Sequence, residues 1–411
     1  MRSMPRQQRG ITAVLVAVGI LALLVMVGLA IDTGHLVLNK SRLQSTVDAA
    51  ALAAAKVLDQ TGSEAQATAA AGSVFNLNAA DHAELQSRLS AADITVEYSN
   101  ALSPFTPGTT PANYVRVRAD DFSLWTSFTA LVGFDELSTG ASAVAGPSAP
   151  ITGEACDLVP MMVCADMAAG ASGDWGYATN EVTLLKIASN APSPVGPGNF
   201  QLIELGGSGA NIVRQNLAGG YEGCINLGGT VTTKTGNNTG PTAQGLNTRF
   251  GEYQGGGMNQ ADYPPDKITR EPSPSLDVAS DGTTVILQGG RGGGTTVTNI
   301  NQVSYRYSDY TADMVAQRFT DPSGKALRRV LALPIVNCTT MVNGHGTLRV
   351  LDIGCFFLLQ QVIQRGNDNF VFGQYIEQCA ADGTPGPTAG PIGGPGVFKI
   401  VLHNDPASPD S

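Results

Sequence analysis

Residues 11–32 read Ile-Thr-Ala-Val-Leu-Val-Ala-Val-Gly-Ile-Leu-Ala-Leu-Leu-Val-Met-Val-Gly-Leu-Ala-Ile-Asp. The stretch from Ile11 to Ile31 carries no charge. At 1.5 Å per residue it makes a helix about 31 Å long, close to the hydrocarbon thickness of a bilayer. The run therefore predicts a transmembrane helix over residues 11–31. Residues 1–10 hold Arg2, Arg6 and Arg9 and no acid. By the positive-inside rule they form a cytoplasmic basic leader, and everything after Asp32 faces the other side. A secretory signal peptide shares the basic start and the apolar run, but its apolar stretch is about 7–15 residues and ends at a small-residue cleavage site. Here the run is longer and Asp32 follows directly, which favours a retained anchor.

The helix is expected to continue past the membrane. No proline occurs between Pro5 and Pro104, and Leu36, Leu43, Val47, Ala50, Ala54 and Leu58 recur at helical spacing. Gly34 is the weak point, because glycine inside a helix costs about 1 kcal/mol relative to alanine. The segment Asp48-Ala49-Ala50-Ala51-Leu52-Ala53-Ala54-Ala55 favours helix and leaves a thin face that another helix can approach closely. Two uses of that face stay open: packing against like helices, or lying on the chain's own small domain.

Three pieces of sequence carry a resemblance: Arg9-Gly10 before the apolar run; Gly28-Leu29-Ala30-Ile31-Asp32-Thr33-Gly34; and Leu43-Gln44-Ser45-Thr46-Val47-Asp48-Ala49-Ala50-Ala51-Leu52-Ala53-Ala54-Ala55. In this order and spacing the N-terminus resembles the TadE/TadG-like family of Tad/Flp (tight adherence) pilus-assembly proteins, TadG-like members in particular. The segments Gly198-Asn199-Phe200 and Gly236 to Arg249 are similar, more loosely, to extracytoplasmic regions attached to such modules. The resemblance makes Gly10 and Ile11 the candidate processing site, and Asp32, Gly34, Leu43, Gln44, Asp48, Ala49, Ala50 and Leu52 the helix motif. Members cut after such a glycine typically carry Glu five residues on, whereas Leu15 stands here. The resemblance thus implies a minor pseudopilin or an uncleaved inner-membrane anchor, and Leu15 tilts the reading to the anchor.

Downstream, residues 32–146 read as the helix followed by a small α+β region. Asp93–Ser99 and Tyr114–Arg118 alternate as strands, Phe122–Val132 is a short helix candidate, and Ala141–Ala145 is a last strand. Gly146-Pro147-Ser148-Ala149-Pro150 reads as a linker. Beyond it, residues 151–411 show short apolar runs (Glu181–Ile187, Gln201–Leu205, Thr283–Leu287, Val330–Ile335, Thr347–Ile353, Val397–Leu402) between Gly, Pro and Asn clusters, the pattern of a β-rich domain. The glycine-rich stretches 289–294 and 383–396 read as exposed loops. The fold class expected is α+β: a long N-terminal helix on a small pilin-like region, then a β-rich, disulfide-bearing domain.

Composition narrows the chemistry. Charged residues are 14% of the chain and the net charge is −10, with no clustered basic stripe, which sets nucleic-acid binding aside. Cys156, Cys164, Cys224, Cys338, Cys355 and Cys379 all follow residue 150. In an oxidising compartment they read as disulfides. Their connectivity is open, Cys156–Cys164 and Cys338–Cys355 being the short loops noted. No Cys-x-x-Cys pair or paired histidines suggest zinc. His35, His82, His345 and His403 sit in no metalloprotease pattern, and no Gly-x-Ser-x-Gly elbow accompanies them. Asp262 and Asp266 could hold calcium, yet the spacing of a calcium loop is absent and a solvated acidic loop is favoured.

The expected protein is therefore a non-enzymatic pilus-assembly or anchoring component without cofactor or small-molecule substrate. In a bacterium it would be single-pass in the inner membrane with the bulk of the chain periplasmic. Its partners would be the lipid bilayer and other pilin-like or pilus-assembly membrane proteins. The competing reading is a membrane-tethered binding or adhesion module unrelated to a pilus.

Overall fold

A computed structural model describes residues 9–91, 93–133, 135–170, 174–188, 191–289, 293–340, 342–364, 369–386, 394–405 and 408. The basic leader up to residue 8 and the centres of both glycine-rich loops, 290–292 and 387–393, lie outside the described residues. The chain divides into two compact units. Unit 1 takes the N-terminus to Val57, Glu64–Gly146 and the C-terminal residues from Leu402; unit 2 takes Leu58–Ser63 and Pro147–Val401.

Helix α1 spans Arg9–Thr61, 53 residues without interruption. The absence of proline and the Ala, Leu and Val content allow this, and Gly34 causes no break. In unit 1 it is followed by α2 (Glu64–Ala79), α3 (Ala83–Arg88), β1 (Ile94–Ser99), β2 (Tyr114–Trp125) and β3 (Glu136–Pro147). The strands form an antiparallel sheet in the order β1-β2-β3, with the C-terminal strand Ile400–His403 next to β3. Leu43, Val47, Ala50 and Ala54 form a fully buried stripe along α1, joined by Ala67, Ala71 and Phe75 of α2 and by Val115, Val117 and Phe122 of β2. The Ala-rich half of α1 thus lies on its own small α+β region.

Three expectations for this region change. Phe122–Val132 is not a helix: β2 runs to Trp125, because buried Phe122 and Leu124 alternate with less buried Ser123 and Trp125, and only Thr129–Val132 closes a 3₁₀ turn. Gly146–Pro150 is not a loose linker. Strand β3 carries through Pro147, Ser148 and Ala149 are buried, and Ser148 N donates to Lys399 O at 2.8 Å. Residues 402–405, expected with the second domain, belong to unit 1, where His403 meets Tyr114 edge-on at 5.5 Å. The apolar run Val397–Leu402 is accordingly split between Gly396–Phe398 and Ile400–His403, which lie in different sheets.

Unit 2 is built on a seven-stranded sheet. Its spine runs Val163–Cys164, Val330–Val336, Thr347–Leu358, Val371–Ile376, Val182–Lys186, antiparallel except for the first pair, and Thr230–Thr235 links Asn199–Glu204 to it. The run Ile353–Leu358 is buried at every position, so the central strand is covered on both faces. One face carries Ile353, Cys355 and Phe357 into a core with Tyr305, Tyr310 and Met314. The other carries Phe356 and Leu358 against Val213, Leu217, Leu246 and Phe250. Those covering side chains come largely from helices the alternation reading missed: Ala210–Gly219, Thr239–Leu246 and Tyr307–Val315. Each is at most ten residues long and broken by glycine or polar residues, too short for a clear helical period.

The cysteines pair Cys156–Cys224, Cys164–Cys338 and Cys355–Cys379. Neither short loop noted from the sequence, Cys156–Cys164 or Cys338–Cys355, is formed. Cys156 and Cys224 face each other across an antiparallel strand pair, so neighbours in the sheet decide the pairing where loop length does not. Replacing Cys164 and Cys338 together by Ala removes a link between positions 174 apart, and replacing Cys355 and Cys379 removes one between positions 24 apart. Chain-entropy reasoning puts the losses at about 5 and about 3 kcal/mol. Denaturant unfolding of the two double variants should show that order.

Candidate functional site

The residues that carried the N-terminal resemblance fall into three groups along α1. The first is bare: every Val, Leu, Ile and Met side chain from Val14 to Ile31 is 49–67% exposed. Gly10 and Ile11 lie in its first turn. The helix is long and apolar enough to cross a membrane. Bare hydrocarbon side chains from Val14 to Ile31 are costly in water, at roughly 25 cal/mol per Å² of apolar surface. Covering that surface, by lipid or by another apolar surface, would be favourable.

The second group is a clasp at the end of that stretch. Asp32 is buried, and its carboxylate accepts hydrogen bonds from the backbone N–H groups of Ser127 (3.1 Å), Phe128 (2.9 Å) and Thr129 (2.7 Å) and from the Thr129 hydroxyl (3.0 Å). The three amides open the 3₁₀ turn at Thr129, where donors lack partners within the turn and a negative charge is favoured. These bonds, the Thr129 amide foremost, hold the Asp32 carboxyl down to about 2, so it is charged at neutral pH. One helical turn earlier, Gly28 supplies a notch. A Cβ there would stand 2.5 Å from Phe128 Cβ and 2.6 Å from its Cγ, so Phe128 sits directly on the helix backbone. Gly28 and Asp32 share a face at i, i+4, and together they seat one loop.

The third group anchors α1 to the sheet. Leu43 and Ala50 are fully buried, Ala49 and Leu52 half-buried. Gln44 Nε2 donates to Ser142 O on β3 and to Asp48 Oδ1, both at 2.8 Å. Burial pushes the Asp48 carboxyl up, and the Gln44 bond draws it back. The network goes on through the Ser142 hydroxyl, which donates to Asp405, and through Arg116, which bridges Asp405 (3.5 Å) and Glu97 (2.7 Å). Arg116, Ser142 and Asp405 were not anticipated, since nothing local links positions this far apart. Gly34, counted with the motif, faces open space and makes no contact.

Other candidates from the sequence do not converge. His345 lies 3.3 Å from Glu204 in unit 2, while His403 packs on Tyr114 in unit 1. Among the described residues no group of three or more His, Cys, Asp or Glu could hold a metal ion. Asp262 is exposed and bonds to Asn259. Asp266 is not in a solvated loop: it is fully buried and accepts from Ile268 N (2.9 Å), Tyr310 Oη (2.9 Å) and Arg329 N (2.8 Å). Beside it the fully buried Arg329 guanidinium donates to the carbonyls of Leu358, Ile268, Arg270 and Leu359 and stacks over Phe357 at 4.5 Å. This is a structural core of unit 2, and the acceptors a cation would need are already engaged.

With the geometry in place, comparison with known proteins adds one finding. The Tad family, described as "Putative Flp pilus-assembly TadE/G-like", matches residues 10–57. Over those residues the chain is similar to that family. The matched span contains all three groups on α1 and ends where the Ala-rich stripe ends. Neither a curated protein nor a solved structure matches the chain.

Two outcomes follow. Asp32→Ala leaves three amides without their acceptor, and their hydrogen exchange should speed up by roughly tenfold or more, whereas Asp32→Asn, keeping one acceptor oxygen, should lose less. Asp266→Ala leaves the Ile268 and Arg329 amides and the Tyr310 hydroxyl without their buried acceptor and should destabilise unit 2 by about 3 kcal/mol or more in denaturant unfolding.

Proposed function

We propose that this chain is a TadG-like, single-pass inner-membrane component of a Tad/Flp pilus-assembly system. In this reading residues 11–31 cross the bilayer with the basic leader in the cytoplasm, and the units beyond Asp32 stand in the periplasm, where the three disulfides are stable. The protein acts by contact with other pilus-assembly membrane proteins and not by catalysis.

The observation that carries the reading is the division of the TadE/G-like segment. Its Ala-rich half is covered by the chain's own small α+β region, whereas in its apolar half, Val14–Ile31, every Val, Leu, Ile and Met side chain is exposed and, among the described residues, Phe128 covers Gly28 alone. Only the bare half is free to meet lipid or a partner helix. Gly19 and the flanking small residues Ala17 and Ala22 leave room there for close helix approach. Leu15, in place of the Glu found in cleaved members, supports an anchor that keeps its leader over a processed filament subunit. The match ends at Val57, so a tethered binding module outside any pilus is the second reading.

Intact mass and N-terminal sequence, taken separately from inner membranes and sheared surface filaments, test this. The expected result is a chain that retains residues 1–10 and stays with the membrane. A chain that begins at Ile11 and is found in filaments would make it a filament subunit. A photo-crosslinker at Leu24 should capture a pilus-assembly membrane protein in native membranes, while the same group at buried Ala54 should capture none. Capture of no such protein at Leu24 would favour the tethered module.

A further inference from the structure

The clasp fixes more than the helix. Trp125, the last residue of β2, is 66% exposed, and Phe128, seated on Gly28, is 42% exposed. Single exposed apolar side chains are ordinary on a soluble surface. Here their position along α1 is set. Gly28 lies three residues before the end of the charge-free run, which is about 4.5 Å along the helix axis. Wherever residues 11–31 occupy hydrocarbon, the Phe128 ring therefore sits at the edge of that layer, with the turn 125–129 alongside.

The surroundings mix aromatic rings with charge of both signs, Arg88 over Trp125 and the exposed Glu136 paired with it across the sheet. Aromatic side chains concentrate at that depth because a ring takes apolar and polar neighbours at once. The Arg88 guanidinium lies over the Trp125 ring at 5.9 Å, which puts a cation beside the indole, as anionic headgroups favour. Beyond Asp32 the helix still shows Val37 and Leu38, 60% and 49% exposed, before Lys40 and Arg42.

We propose that the turn at residues 125–129 is a second membrane contact, with Phe128 and Trp125 entering the interfacial layer of the leaflet from which α1 emerges. The occupant of this surface is lipid. The contact rests on the reading of residues 11–31 as a span, and it gives the clasp a purpose: one loop locks unit 1 to the helix and seats it on the bilayer surface. A helix alone leaves a domain free to swing; two contacts with the same leaflet fix its tilt.

The chain has two tryptophans, so Trp175→Phe leaves Trp125 as the sole reporter. The full-length variant is reconstituted into phosphatidylethanolamine–phosphatidylglycerol vesicles with acyl chains brominated near the headgroup or near the chain end. Trp125 is expected to lose most of its emission to the shallow bromine, less to the deep one, and little to aqueous iodide. Adding Phe128→Glu should reverse the pattern, with bromine quenching lost and iodide quenching gained. A Trp125 quenched by iodide and untouched by bromine overturns the proposal. One shielded from both quenchers overturns it too, because the turn is then covered by protein.

A separate probe, Leu21→Trp in a Trp125→Phe, Trp175→Phe background, reports on the span. Strong quenching of that probe by the deep bromine, together with an unquenched Trp125, defeats the second contact alone. Absence of quenching at position 21 defeats the span and the second contact with it.

Discussion

Asp32 gathers three amides and a hydroxyl from the turn at Ser127–Thr129, and the behaviour of α1 changes at that residue. Before it the helix is bare hydrocarbon; after it the same helix is progressively absorbed into a folded unit. A carboxylate suits this junction because it accepts several hydrogen bonds at once and stays charged while doing so. Its neighbour one turn back, Gly28, lets an aromatic ring lie on the backbone. Between them they fix the turn at residues 127–129 to one position along a continuous helix.

The absorbed half of α1 is held by different means. A small-residue stripe gives close approach, and burial of Leu43, Val47 and the alanines supplies the driving force. Gln44 supplies direction, since its amide reaches a β3 carbonyl and its own helix at once. Unit 2 solves the opposite problem. Its central strand is buried on both faces, its buried charges include a fully bonded Asp266 and Arg329, and three disulfides cross-link it. The Asp266 carboxylate holds the Arg329 backbone amide while the guanidinium donates to carbonyls, so removing either group would leave buried polar partners unbonded.

Much of unit 1 was legible in the sequence because its signals are local and repeated. A charge-free run of bilayer length, a proline-free helix and alternating strands each declare themselves within a short window. Where reading failed, the deciding partner lay far off. Phe122–Trp125 has helix-tolerant residues, but β3 pairs with it. Pro147 sits in a linker-like string, but Ser148 bonds to Lys399. Asp266 has the neighbours of a solvated turn, but Tyr310 and Arg329 close over it.

The sequence by itself determined that one helix runs from the basic leader through an apolar span into an alanine-rich stripe, because composition and helical period are properties of consecutive residues. It determined too that Asp32 marks the end of the charge-free run. Only the tertiary structure decided that the stripe faces the chain's own sheet, that Asp32 and Gly28 seat the turn at residues 125–129, that the C-terminal residues return to unit 1, and which cysteines meet. Each of those joins residues distant along the chain, and the free energy of such a contact depends on what the rest of the fold brings near, which no local pattern encodes.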